Sequence, residues 1–147
     1  MEPLEVVVVR LGGCRYTVAM DAVAEVGRPP ALTRVPGLPG WVAGVANWRG
    51  RVLAVLDVRS LLGGAATVLD RRGRLVVLRH DGVVVGLLTE AVEGTRRLDP
   101  DDIEPTPPRL AERTGGLFCG QLTDADGPCG VFDLAAVLRL ADALPRV

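Results

Sequence analysis

The stretch Gly44-Val-Ala-Asn-Trp-Arg-Gly50 leads directly into Arg51-Val-Leu-Ala-Val-Leu-Asp57 and carries the most informative pattern of the chain. Two glycines bracket a predicted turn that holds the only asparagine of the sequence, and an apolar run of high β-propensity follows it. Asp57 ends that run, where an aspartate can cap a short helix. The pattern predicts a shaped loop on a β scaffold, and nothing in it resembles a catalytic centre.

Further valine-rich runs, bounded by glycine or polar turns, predict an all-β protein with short helices. The predicted strands cover residues 6–9, 16–20, 51–56, 75–78, 83–88, 118–122 and 130–132. Helix is confined to two short segments, 58–62 and 134–140, each preceded by an aspartate at the N-cap position. Pro105, Pro107 and Pro108 predict a long extended connection.

An internal repeat organises these predicted strands. Residues 7–25 align without a gap with residues 76–94, which lie 69 positions later, and six of the 19 aligned residues are identical. The second parts of the two copies match at an offset of 76 residues. The sequence therefore predicts one domain over 1–147, built from two similar β-barrel modules, 1–69 and 70–147.

Composition favours a small globular protein that binds rather than reacts. Hydrophobic residues make up 48% of the 147 and charged residues 24%, with a net charge of −1 and no concentrated basic face for nucleic acid. The first residues lack the basic region of a signal peptide, and no apolar run reaches the roughly 18 residues of a membrane span. We expect a soluble, cytoplasmic monomer that binds no nucleic acid and does not insert into the membrane.

Residues suited to catalysis are few, because the chain has one serine, one histidine, one tyrosine and no lysine. Ser60 lies outside any G-x-S-x-G motif, and His80 falls in a predicted hairpin turn. Cys14, Cys119 and Cys129 are interpreted as small buried hydrophobes, since no C-x-x-C pair suggests a metal site. We predict no enzymatic activity, no metal and no cofactor. The alternative is an enzyme whose acid–base groups come from a partner chain.

Eight short segments, taken in their order along the chain, match the sequence motifs of one known protein family. They are Val9-Arg-Leu-Gly-Gly-Cys-Arg-Tyr16, Val23-Ala-Glu-Val26, Leu32-Thr-Arg-Val-Pro36, Gly44-Val-Ala-Asn-Trp-Arg-Gly50, Val55-Leu-Asp-Val-Arg59, Val84-Val-Gly-Leu87, Glu90-Ala-Val92 and Ile103-Glu-Pro105. Together they resemble the CheW-like domain family from about Val6 to Leu140. The resemblance implies two five-stranded SH3-like β-barrels without enzymatic activity. It also implies an adaptor that joins the regulatory domain of a CheA-type histidine kinase to the cytoplasmic tip of a chemoreceptor, and is recruited to membrane-associated receptor arrays.

The resemblance assigns roles to individual residues of the kinase surface. Val23, Glu25 and Gly44 fall where the family contacts the kinase or shapes that surface. Arg49 falls on the arginine that the family associates with receptor coupling, and the resemblance implies that it pairs with Glu25. An exposed pair of this kind holds a turn in one shape more than it stabilises the fold.

Four further residues are predicted to take part in receptor coupling. Asn47 tolerates a left-handed backbone and can hydrogen-bond its own turn. The family's receptor groove lies between the barrels, and we expect Val84, Val85 and Leu87 to line it.

Two residues depart from the family pattern. Trp48 stands where the family usually has a smaller aliphatic residue, so the loop is bulkier or meets a different partner. Arg109 stands where an apolar or aromatic residue would serve a secondary kinase contact. We therefore expect a chemotaxis or chemotaxis-like pathway, such as one that controls pili or gene expression. The alternative is another protein- or peptide-binding module built on paired SH3-like barrels.

Overall fold

The computed structural model describes residues 2–62, 64–113 and 116–144, so the ends of the predicted domain, residues 1 and 145–147, lie outside it. This part of the chain contains eleven strands and three α-helices. The strands are β1 Leu4–Leu11, β2 Cys14–Ala19, β3 Val23–Gly27, β4 Val42–Trp48, β5 Arg51–Leu56, β6 Arg74–His80, β7 Val83–Thr89, β8 Ala91–Leu98, β9 Glu104–Pro105, β10 Phe118–Asp124 and β11 Gly127–Phe132. The helices are α1 Val58–Leu61, α2 Pro108–Arg113 and α3 Leu134–Asp142.

The mainly β class predicted from the sequence is confirmed, and every predicted strand overlaps an observed one. Two local predictions were wrong. Pro108 begins helix α2 instead of continuing an extended connection, since proline fits the first turn of a helix, where its missing N–H is not needed. Residues 44–48 belong to strand β4, and only Arg49 and Gly50 form the turn that follows it.

The strands form two sheets that each draw on both halves of the chain. The first sheet has the order β8-β1-β2-β11-β10-β9, and the second has the order β3-β6-β7-β5-β4. The β1–β2 hairpin of the first half thus lies in a sheet with strands of the second half, and the β6–β7 hairpin makes the reciprocal exchange. The predicted division into 1–69 and 70–147 therefore does not separate the two sheets, because each half gives its first hairpin to the other.

The repeat nevertheless persists in the register of the strands. In the first sheet Val131 pairs in parallel with Thr17, and in the second sheet Val55 pairs in parallel with Gly86. Val131 lies 76 residues after Val55, and Gly86 lies 69 residues after Thr17. The two pairs are therefore related by the same two offsets that relate the halves of the repeat. Both sheets are built to the same plan.

Two glycines at equivalent β-bulges show the same plan at atomic detail. The bulges lie in β4 before Gly44 and in β10 before Gly120. A Cβ on Gly44 would lie 2.8 Å from the carbonyl oxygen of Thr33, and one on Gly120 would lie 2.6 Å from that of Glu104. Each glycine therefore lets another segment approach its strand closely. In the first sheet this segment is β9, and in the second it is the segment around Thr33, which forms a single bridge with Val45.

The predicted aspartate caps are also present in both halves. The Asp57 carboxylate accepts from the Ser60 N–H at 3.3 Å at the start of α1, and the Asp133 carboxylate accepts from the Ala136 N–H at 3.2 Å at the start of α3. Asp57 is buried and accepts two further hydrogen bonds, both at 2.8 Å, from the N–H and the hydroxyl of Thr67. It therefore fixes the connection that follows α1 as well as the helix itself.

Three apolar clusters hold these elements together. One contains side chains of the second sheet only, and another contains side chains of the first sheet only. The largest lies between the sheets and takes members from both, together with Ala136, Val137 and Leu138 of α3. Because each half gives its first hairpin to the sheet of the other half, this central cluster contains residues from both halves of the chain.

The cysteines depart from the sequence prediction. Cys14 and Cys119 are exposed, and only Cys129 is buried. Successive side chains on a strand face opposite sides of the sheet, so an apolar neighbourhood in sequence does not guarantee burial.

Candidate functional site: the β4–β5 turn and the edge of β3

The β4–β5 turn is a two-residue hairpin loop in which both central residues have positive φ. The φ angles are 50° for Arg49 and 76° for Gly50. The Asn47 side-chain oxygen accepts from the Gly50 N–H at 3.1 Å, which closes the turn as expected for an asparagine at this place. An arginine in the left-handed region is unusual, and such residues concentrate at functional sites.

Glu25 of β3 meets this turn across the second sheet. In the strand order of that sheet, β3 lies at one edge and β4 at the other. A contact between side chains of the two edges requires the sheet to curl until its edges approach. The curl therefore brings Glu25 next to Trp48 and Arg49, which follow it by 23 and 24 residues in the sequence.

Three donors converge on the Glu25 carboxylate. Arg49 donates from Nε to Oε2 at 3.1 Å and from Nη2 to Oε1 at 3.0 Å, which is the bidentate geometry that guanidinium and carboxylate groups favour. The indole N–H of Trp48 donates to Oε2 as well. The Arg49 guanidinium also lies 5.7 Å from the centre of the Trp48 ring, within cation–π range. The pair predicted between Glu25 and Arg49 is thus formed, with Trp48 as a third member.

The electrostatics of this cluster keep both charges in place at neutral pH. Hydrogen bonds from Arg49 and then from Trp48 lower the pKa of Glu25 below its ordinary value. The same pairing raises the pKa of Arg49 above its ordinary value. The Arg49 side chain is 69% exposed and that of Glu25 is 33% exposed, so the pair is open to solvent. We call Glu25, Trp48 and Arg49 the turn cluster.

The other two predicted kinase-surface residues lie on the strands that carry the turn cluster. Val23 is half-buried in β3, two residues before Glu25, and packs against the central core. Gly44 is buried at the β4 bulge, where it admits the Thr33 segment against the strand. Val23 thus lies on the strand of Glu25, and Gly44 lies on the strand that ends at Trp48.

The predicted receptor groove is only partly accessible. Val85 is fully buried and Leu87 is 2% exposed, both in the central core, so neither can touch a partner on the folded surface. The expectation that they line a groove is corrected here: β7 crosses the interior of the molecule. Val84 is half-buried and lines an open hollow of about 380 Å³ together with Val45, Val52, Ala54, Val83 and Leu38.

Two surface residues of the site were missed by the sequence analysis. Val52 is 70% exposed and pairs with Asn47 across the β4–β5 hairpin, beside the turn cluster. Trp48 was noted only as a departure from the family pattern. A signal for its role was available, because an indole N–H near a surface usually finds a partner and Glu25 was already expected at this turn.

Ser60 and His80, the two residues weighed for catalysis from the sequence, lie on separate elements. His80 ends strand β6 and Asp81 begins the turn that follows; both are exposed, with 3.3 Å between Nε2 and Oδ2, and Ser60 lies in helix α1. Among the described residues, no three His, Cys, Asp or Glu side chains are grouped to hold a metal ion. In the same part of the chain, no helix has the length and apolar character needed to cross a bilayer.

Comparisons with known proteins agree with this architecture. The chain is 37% identical over 100 residues to Protein PilI of Pseudomonas aeruginosa, which covers 67% of this chain and 56% of PilI. It is 29% identical over 137 residues to Chemotaxis protein CheW of Helicobacter pylori, with 92% and 78% covered. The crystal structure of the scaffolding protein TtCheW from Thermoanaerobacter tengcongensis matches with a TM-score of 0.82 at 25% identity, over 91% of this chain and 86% of that one.

The fold and the site thus define a small β scaffold that presents a charged and aromatic surface. The sequence pattern of the CheW-like domain family matches residues 5–142, and the chain belongs to that family. This membership confirms the family predicted from the motifs. The aligned part spans just over half of PilI, so the particular partners of this chain are a matter for proposal.

Proposed function

We propose that this protein couples a chemoreceptor to a CheA-type histidine kinase in a chemotaxis or chemotaxis-like pathway. The observation that carries the proposal is the turn cluster, in which the residue expected to face the kinase and the residue expected to face the receptor hold one another in place. Its setting is the cytoplasm, at membrane-associated receptor arrays. The comparable identities to CheW, PilI and FrzA of Myxococcus xanthus (37% over 98 residues) favour no single output.

The kinase surface in this proposal lies on the edge strand β3. Glu25 projects from that edge with its carboxylate already held by donors, so little ordering remains to be done when a partner binds. The Thr33–Val45 bridge, with 2.9 Å for each of its two hydrogen bonds, holds a further segment against β4, the strand that ends at Trp48. A surface prepared in this way suits a rigid contact with a kinase domain, in which a few anchors supply most of the binding energy.

The receptor surface in this proposal comprises the turn itself and the hollow beside it. Arg49 is exposed and carries the planar fork that recognises carboxylates, so a receptor acid can replace Glu25 as its partner. Asn47 fixes the turn, and Val84 and Val52 offer apolar contact at the hollow. This combination fits a helical receptor tip with apolar and acidic side chains.

Titration calorimetry with the regulatory domain of a CheA-type kinase from the same cell tests the proposal. We expect wild-type binding at micromolar affinity or tighter, and a loss of at least about tenfold in Glu25→Arg, because two guanidinium groups would then face each other. Glu93→Arg is the matched control, since Glu93 pairs with Arg10 at 2.7 Å on β8, the equivalent edge of the first sheet.

Equal weakening by both substitutions would place the contact elsewhere or indicate a general charge effect. A folded wild-type protein that binds no such kinase would favour the alternative function, a different protein- or peptide-binding module. Circular dichroism on each variant shows whether it is folded.

A further inference from the structure

The Glu25 carboxylate divides its hydrogen bonds unequally between its two oxygens. Among the residues that the structure describes, Oε1 accepts from Arg49 alone, whereas Oε2 accepts from both Arg49 and the indole N–H of Trp48. If Arg49 turns away, Oε1 becomes free while Oε2 keeps its bond to Trp48. The two donors can therefore play different parts at the same carboxylate.

The two donors also differ in how firmly they are held. Trp48 is half-buried and packs against the apolar cluster of the second sheet, and its side chain has only two rotatable bonds. Arg49 is 69% exposed on a long side chain, from a backbone position that strains a residue with a Cβ. Trp48 is thus the fixed donor to Glu25, and Arg49 is the one that can leave.

The other half of the repeat shows that the fold does not need this arrangement. The positions equivalent to Glu25, Trp48 and Arg49 are occupied by Gly94, Asp124 and Ala125. These residues cannot form a carboxylate held by an indole and a guanidinium, yet the bulges, caps and register around them are the same. In that half Arg96 of β8 pairs with Asp124 instead, so an edge strand is joined to a hairpin end in both halves, and the indole donor is the feature that distinguishes the turn cluster.

We propose that Trp48 is a positioning residue that holds Glu25 towards the kinase while Arg49 engages a second partner. The inference rests on the proposed function. Without the indole, a departing Arg49 would leave the Glu25 side chain without an anchor, and kinase binding would then have to order it again. With the indole, Glu25 and Arg49 can serve two partners at the same time.

The first test uses the free protein and needs no partner. The pKa of Glu25 is followed by NMR of its side-chain carboxyl carbon in wild type, Trp48→Phe, Arg49→Ala and the double variant. We expect each single substitution to raise the pKa part of the way towards the ordinary value, since each removes a hydrogen bond to the charged form, and the double variant to restore it. A wild-type pKa in Trp48→Phe would overturn the inference.

The second test measures kinase-domain affinity in the same four proteins. Either donor alone can hold Glu25, so we expect each single variant to bind within about threefold of wild type and the double variant to lose at least about tenfold more than the product of the two. Simple multiplication of the single effects would overturn the inference. Trp41→Phe is the matched control, because Trp41 packs against the central core, and it should show no coupling to Arg49→Ala.

The two tests separate failure of this inference from failure of the proposed function. A folded wild type that does not bind the kinase would overturn the function, and the titration of Glu25 would still decide whether Trp48 positions the carboxylate. A wild type that binds, with additive variants and an unchanged Glu25 pKa, would overturn only the role of Trp48.

Discussion

The β4–β5 turn and the β10–β11 turn occupy equivalent places in the repeat but use charge in opposite ways. In the β10–β11 turn, Asp124 accepts from Arg15 at 2.7 Å, and the Arg15 side chain is only 6% exposed. Arg15 also donates to the Gly127 carbonyl at 3.0 Å, and Arg96 adds a second guanidinium to Asp124. In the β4–β5 turn the arginine itself projects outward. One half thus holds an ion pair with a buried arginine at its hairpin, and the other exposes its arginine to solvent.

Removing the arginine from each turn gives the largest expected contrast. Arg15→Ala would leave Asp124 with Arg96 and the Asp126 N–H and would remove the Arg15 donor from the Gly127 carbonyl, so we expect it to lower the free energy of unfolding by about 3 kcal/mol. Arg49→Ala should leave the midpoint of unfolding almost unchanged, because its pair is exposed. Urea denaturation of both variants measures the contrast. Equal destabilisation would mean that both turns are structural.

The two bulge glycines allow a test in which stability and binding should separate. Gly44→Ala and Gly120→Ala each place a Cβ within 2.8 Å of a backbone oxygen, so we expect both to lower the free energy of unfolding by about 2–3 kcal/mol. Only Gly44→Ala should also weaken kinase-domain binding, by several-fold, because it disturbs β4, the strand that carries the Trp48 donor to Glu25. Denaturation and calorimetry on the same samples give both quantities. Loss of affinity in Gly120→Ala would extend the kinase contact to the first sheet.

The two aspartate caps should differ in strength although their positions are equivalent. Asp57→Ala removes a buried acceptor of three hydrogen bonds and should lower the free energy of unfolding by about 2 kcal/mol. Asp133→Ala removes a single cap bond to Ala136 and should lower it by about 1 kcal/mol. Thermal unfolding of both variants checks the order. The reverse order would show that the connection after α1 contributes little.

The smallest expected change in stability comes from acidification, which protonates Glu25 of the turn cluster. The folded-state pKa of Glu25 is lowered below its ordinary value. The charged carboxylate therefore contributes fully to folding stability above the pKa of an unfolded glutamate, about 4.3, and this contribution is lost as pH falls through the lowered pKa. We expect kinase affinity to be level from pH 7 down to that region and then to decline. Glu25→Gln, measured at the same pH values, should lack this decline. An identical profile in both proteins would assign the decline to another group.

Much of the scaffold was predictable because its signals are local. Valine-rich runs between glycine turns identified the strands, and aspartates before short apolar segments identified two helix caps. The Glu25–Arg49 pair followed from the family resemblance, and the Asn47 turn followed from the chemistry of asparagine. Helix α2 escaped prediction because proline both ends extended segments and begins helices, and the sequence around Pro108 does not decide between these roles.

The sequence by itself determined the class of protein, the repeat and the chemistry of the β4–β5 turn. Only the tertiary structure decided that the two halves exchange their first hairpins, that Val85 and Leu87 are buried, and that the Trp48 indole reaches Glu25. Strands and turns follow from neighbouring residues, whose propensities and spacing are local. Which strand pairs with which, and which face of β7 meets the core, depends on the apolar surface that distant segments bury together, and no local pattern records that choice.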